Sequence, residues 1–232
     1  MSRASCRPGR AVDREVAADG RELSRGTSRI EAFSDAVIAI MLTLLAVELL
    51  QFDRVEAHRI GLAAALQGQW PAYLAFGMTF LVVGQIWMTH HNLWRYVERV
   101  DQGISVLNLL LLMCVAVIPF SASVLAASVD GLPRAERRHA AALYSATMLG
   151  QAIAFNLVLW WARRHGLLRG EVDDALYRAI ARRFLAGPSI YAAALALAFV
   201  SPGVSMACYL AVIILYLWPG AGDLPPAEPH SP

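Results

Sequence analysis

The sequence predicts an all-α fold, a polytopic membrane protein with six transmembrane helices. Three observations carry that prediction. Of the 232 residues, 57% are hydrophobic and 16% charged, a balance too apolar for a soluble domain of this size. Long uncharged runs recur along the chain, and a bilayer core about 30 Å thick needs roughly 20 apolar residues to cross it as a helix. All 20 basic residues are arginine, and they are unevenly distributed.

The spans follow in order. The first covers 30–50 and is interrupted by Glu31, Asp35 and Glu48, so that only 36–47 is free of charge. The second lies within 61–89, an uncharged run broken by Trp70-Pro71. The third, 104–127, and the fourth, 140–162, contain no charge. The run 184–222 is too long for one helix and carries Ser201-Pro202-Gly203 near its middle, which predicts a tight hairpin joining a fifth span to a sixth. Each run must be helical, because lipid offers no partner to free backbone groups.

Arginine sets the orientation. Seven occur before residue 30, Arg95 and Arg99 follow the second span, and six follow the fourth. Only Arg54, Arg59, Arg134, Arg137 and Arg138 fall in the opposite loops. The positive-inside rule then places both termini in the cytoplasm. Residues 1–28 read as an arginine-rich tail without fixed structure and without the apolar core of a cleavable signal, 29–219 as the transmembrane domain, and 220–232 as a disordered proline-rich tail. The partner implied so far is the lipid bilayer. A net charge of +2 gives no reason to expect a nucleic acid. Cys6, Cys114 and Cys208 are too scattered for a disulfide framework or a metal site, and no metal or cofactor is expected. The chain has no phosphate-binding glycine loop, His-Glu-x-x-His pair or Gly-x-Ser-x-Gly turn, so enzymatic chemistry has no foothold.

The first span holds the informative residues. An acid within a membrane helix costs a few kcal/mol unless it is paired or wet, so Asp35 marks a site. Ser28 and Glu31 have the spacing of an N-terminal capping box, which accounts for Glu31 but not for Asp35 one turn further on. On a wheel of about 100° per residue with Ala36 at zero, Ile40, Thr43 and Val47 all fall within about 40°, and Leu44 lies at the edge. Such a stripe has two explanations. Small and hydroxyl residues serve ordinary helix packing, whereas a ring of bulky apolar groups beside a ring of hydroxyls makes the wall of an ion pathway.

The run Arg29-x-x-x-Phe33-Ser34-Asp35, continuing through Ala36-Val37, Ile40, Thr43-Leu44-Leu45 and Glu48, resembles the signature of the transmembrane protein 175 family. Trp87-x-x-His90-His91 followed by Asp101 resembles that family's second landmark. The resemblance implies a potassium-selective cation channel, in bacteria a plasma-membrane homotetramer of single six-helix subunits with the first helix lining a central pore. It implies a constriction at Ile40, with Leu44 and Val47 beside it, and a selectivity layer at Thr43. Arg29, Phe33, Ser34, Asp35 and one of His90 or His91 would form the motif and polar network holding that helix. Gln51-Phe52-Asp53 lacks the proline of the usual pattern, and the arginine-rich tail is not a family hallmark.

Other residues carry alternatives. A proton-coupled transporter would use Asp35 with His90 or His91, since histidine titrates near neutral pH. Adjacent histidines point about 100° apart on a helix, which disfavours a shared metal. Trp70, Trp87, Trp94, Trp160, Trp161 and Trp218 sit near span ends and read as interfacial anchors. Asn108 and Asn156 read as interhelical hydrogen-bonders.

Overall fold

A computed structural model of the chain describes residues 9–49, 54–129 and 133–217. The described residues are helical throughout, in nine segments, with one isolated antiparallel bridge between Val97 and Leu168 tying two loops together. Helix α1 spans Gly9–Leu49, and two short helices, α2 (Arg54–Ile60) and α3 (Leu62–Gly68), lead into α4 (Trp70–Tyr96). Gly61 joins the short pair at φ 92°, a left-handed conformation that only glycine adopts freely. Next come α5 (Gln102–Ala116) and α6 (Ile118–Val129), α7 (Arg134–Arg164), α8 (Asp174–Ala198) and α9 (Pro202–Leu217).

Four stretches are long and apolar enough to cross a bilayer: Gly26–Val47, Trp70–Tyr96, Gln102–Val129 and Arg134–Arg164. They correspond to the first four expected spans. The second starts at Trp70 rather than residue 61, because Pro71 fits the first turn of a helix, where no N–H is needed. The fifth and sixth do not reach the same standard among the described residues. Arg178, Arg182 and Arg183 crowd the first half of α8, and the described part of α9 is only 16 residues long. The hairpin between them turns at residues 199–201, with Pro202 opening α9 as expected.

Residues 9–28, read from sequence as a tail without fixed structure, are continuous with the first span. Alanine, glutamate and arginine are strong helix formers, and hydropathy alone does not register that preference. A capping box at Ser28 and Glu31 is therefore absent, since both lie well inside α1. The proline-rich segment 220–232, Trp218, Cys6 and Gln51-Phe52-Asp53 lie outside the described residues.

Helix α7 is the centre of the bundle, packed against α5, α6, α8 and α9. Its polar side chains are matched in pairs: Thr79 meets the Tyr144 hydroxyl at 3.1 Å, and Ser145 meets the Tyr209 hydroxyl at 2.6 Å. Pro188 interrupts the hydrogen-bond ladder of α8, leaving the Phe184 carbonyl without its usual donor. Asn156 on α7 supplies one from its amide at 3.1 Å, the interhelical role expected of it. Helix α1 lies at the edge, packed on α4, α5 and α6.

Candidate functional site

Two faces of α1 have opposite fates. Thr27, Ser34, Ile38, Met41 and Leu45, at spacings of three, four and seven, are buried against the bundle. Ala36, Ile40, Thr43 and Val47 are all exposed, Ile40 at 54% and Val47 at 49%. Phe33 and Leu44 flank the same open face. Packing within the subunit is thus not what this stripe is for. The Thr43 hydroxyl donates back to the Ile40 carbonyl at 2.7 Å, which commits its proton and turns the oxygen lone pairs outward.

Three polar layers fasten the other side of α1. Glu31 meets His91 Nδ1 at 2.8 Å, and Asp35 accepts from the Trp87 indole at 3.0 Å. Four residues up α1 is four residues down α4, the register of an antiparallel pair. Trp87 and His91 also stack, with ring centroids 6.2 Å apart. Glu31 is consequently a partner for a histidine and not a cap.

Between these layers runs a buried chain. Asn108 on α5 donates to the Ser34 hydroxyl at 2.9 Å, Ser34 donates to the Ile30 carbonyl at 2.8 Å, and Asn108 Oδ1 lies 3.0 Å from His90 Nε2. Trp94 donates to the same Nε2 at 2.9 Å, while Nδ1 is buried without a partner. One ring nitrogen cannot accept from Trp94 and donate to Asn108 at once. With the proton on Nε2, a directed chain runs from His90 through Asn108 and Ser34 to Ile30. With the proton on Nδ1, Trp94 is satisfied and the link to Asn108 loses its donor.

His90 is therefore the histidine that reaches Ser34, through Asn108, whereas His91 points away to Glu31. This is the divergence expected of neighbours on a helix. Arg29 is exposed on α1 and takes no part in these contacts. Three tryptophans read as interfacial anchors are donors within the subunit, Trp87 to Asp35 and two more. Trp94 is 2% exposed and bound to His90, and Trp161 is bound through its indole to both Asp101 oxygens at 3.1 Å. Asp101 caps α5, accepting from the Ile104 N–H at 2.7 Å. Burial raises its pKa, but the Ile104, Trp161 and Gly103 hydrogen bonds and nearby His165 outweigh burial and hold it below the usual carboxylate value. A side chain at Gly103 would run into the Trp161 ring. Asp101, Gly103 and Trp161 thus fix the start of the helix that carries Asn108.

These features define a class: a multi-pass helical membrane protein whose first span is anchored on one face by polar side chains and open along the other. The profile of the family described as the endosomal/lysosomal potassium channel TMEM175 matches residues 29–119. A potassium channel of Streptomyces collinus is 38% identical over 208 residues, covering 89% of this chain and 98% of that one. A potassium channel of Chamaesiphon minutus is 37% identical over 194 residues, 82% and 94% of the two chains. The crystal structure of a lysosomal potassium-selective channel TMEM175 homolog from Chamaesiphon minutus superposes with a TM-score of 0.74 at 33% identity, covering 83% of this chain and 97% of that one. The chain belongs to the TMEM175 family.

Proposed function

We propose that this chain is the subunit of a passive potassium channel, selective for potassium over sodium, assembled as a homotetramer around α1. The single observation that carries this reading is the two-faced first helix, with its polar contacts spent on the subunit and the face of Ile40, Thr43 and Val47 left open. Four copies of that face would make a closed tube. Ile40, with Leu44 and Val47, would be the apolar constriction, and four Thr43 oxygens would replace part of a potassium ion's hydration shell. Helices α8 and α9 would complete six spans, with both termini in the cytoplasm of a plasma-membrane protein. The permeant ion would be the only ligand, bound transiently, and the names of the bacterial relatives support potassium in that role.

The test is the reversal potential of reconstituted protein in a potassium-against-sodium gradient. The expected value moves toward the potassium equilibrium potential, and one that ignores the gradient refutes selectivity. A human relative named an endosomal/lysosomal proton channel, 33% identical over 138 residues, makes an imposed pH gradient a necessary second arm. Saturable flux driven by that gradient and abolished by Asp35→Asn would replace the channel with a proton-coupled transporter.

A further inference from the structure

Away from α1, helices α4, α6, α7 and α9 surround a cavity of about 480 Å³, within the size range of pockets that hold small organic ligands. Leu74, Ala75, Met78, Leu125, Met206 and Ala207 make its walls, and among the described residues Arg137 is the one charged side chain that lines it. Three helices bring their N-terminal ends to it: Trp70 and Pro71 begin α4, Arg137 lies in the first turn of α7, and Pro202 and Gly203 begin α9. The residues before α4 and α7, Gln69 and Pro133, provide no side-chain cap; the first turn of α4 has no acid, while that of α7 carries Glu136.

Among the described residues, the charges beside Arg137 have partners of their own or lie on the next position. Arg134 donates to the Val200 carbonyl at 3.3 Å, and Glu136 pairs with His139 at 3.8 Å. Arg138, partly buried on the next position, has an Nε without a partner. The Arg137 guanidinium makes no hydrogen bond or ion pair among the described residues. The result is an apolar chamber under a positive rim, placed at the ends of spans where headgroups lie. Its complement is an amphiphile with a hydrocarbon tail and an anionic head.

We propose that this cavity binds an anionic phospholipid, with an acyl chain in the chamber and the phosphate at Arg137. The site lies apart from the open face of α1, and its occupancy does not depend on which ion the protein conducts.

Native mass spectrometry of the full-length, detergent-purified oligomer tests this. The probes are phosphatidylglycerol, phosphatidylcholine with the same acyl chains, and inorganic phosphate. Wild type is expected to retain phosphatidylglycerol about fivefold better than phosphatidylcholine, the size expected for one arginine beside an anionic headgroup. Arg137→Gln should bring that ratio to about one, by the same reasoning. Ala207→Phe, which fills the chamber, should lower retention of both lipids, and the smaller Ala126→Leu gives the same readout if the phenylalanine variant does not assemble. Equal retention of the two lipids by wild type, or an unchanged ratio in Arg137→Gln, overturns the proposal. So does competition by inorganic phosphate, which would mark a plain anion site. Failure of wild type to retain either lipid also overturns it.

Discussion

Replacing Asn108 with leucine keeps the volume of the side chain and removes every hydrogen bond it makes. Two contacts are lost, one to Ser34 on α1 and one to His90 on α4. Interhelical hydrogen bonds in membrane proteins average about 0.6 kcal/mol and reach about 1.7, so the pair is worth about 1 to 3 kcal/mol. Ser34 is not stranded, since it keeps the Ile30 carbonyl. Nε2 of His90 is left to accept from the Trp94 indole, which puts the ring proton on the buried, partnerless Nδ1 and adds to the loss. Ser34→Ala alone strands the buried Asn108 amide donor and should cost about 1 to 3 kcal/mol. Added to Asn108→Leu it should cost little, because the interhelical bond it would break is already gone and only the local bond to the Ile30 carbonyl remains. Denaturant unfolding of the purified protein in detergent gives all four corners of this cycle. Strictly additive losses would refute the argument, showing that Ser34 and Asn108 are near each other without being coupled.

Ile40→Ala should raise single-channel conductance by widening the constriction, and unchanged conductance in planar bilayers would place the narrowest point elsewhere. Asn156→Leu leaves the Phe184 carbonyl unpaired and should destabilise the protein by about 1 to 3 kcal/mol in an unfolding titration. Pro188→Ala, which restores the donor for that carbonyl, should recover part of that loss in the double variant. The depressed pKa of Asp101 means that its charged form stabilises the fold. That contribution is full above the unfolded carboxylate value of about 3.9 and fades as pH falls through the lower folded value. The stability gap between wild type and Asp101→Asn should accordingly be flat near neutral pH and shrink in acid, and a gap that widened in acid would contradict it.

Local regularity made much of this site legible in the sequence. The spacing of Ala36, Ile40, Thr43 and Val47 is a property of one helix, so a wheel finds the face that the fold leaves open. An acid at position 35 is expensive in lipid wherever its partner lies, which flagged the residue without identifying Trp87. Pairings across helices were harder to read. A tryptophan near a span end looks the same whether its ring is half exposed, as that of Trp70 is at 51%, or donates to a buried histidine, as Trp94 does. Glu31 has capping spacing, but the chain before it is already helical, and only tertiary structure brings His91 to it. The arginines of α8 explain why two spans expected from one uncharged run do not look alike: the apolar run starts at Phe184, ten residues after the helix does.

The positions of the polar contacts along α1 have a mechanical consequence for the proposed pore. Among the described residues, the directional bonds from α1 beyond residue 28 to neighbouring helices fall between Glu31 and Asp35, whereas beyond them Ile38, Met41 and Leu45 pack α1 on the bundle. Hydrogen bonds fix both register and rotation. Apolar contacts are non-directional and tolerate small rotations at little cost. Ile40 lies about 7.5 Å and Val47 about 18 Å beyond Asp35 along the helix axis, at about 1.5 Å per residue. A tilt about the polar anchor therefore moves Val47 more than twice as far as Ile40. If four copies of α1 line the proposed pore, residues closest to the anchor would keep a defined radius and those furthest from it would have the freedom to open and close. A gate on this helix would then belong toward Val47, with the steadier geometry toward Ile40 and Thr43.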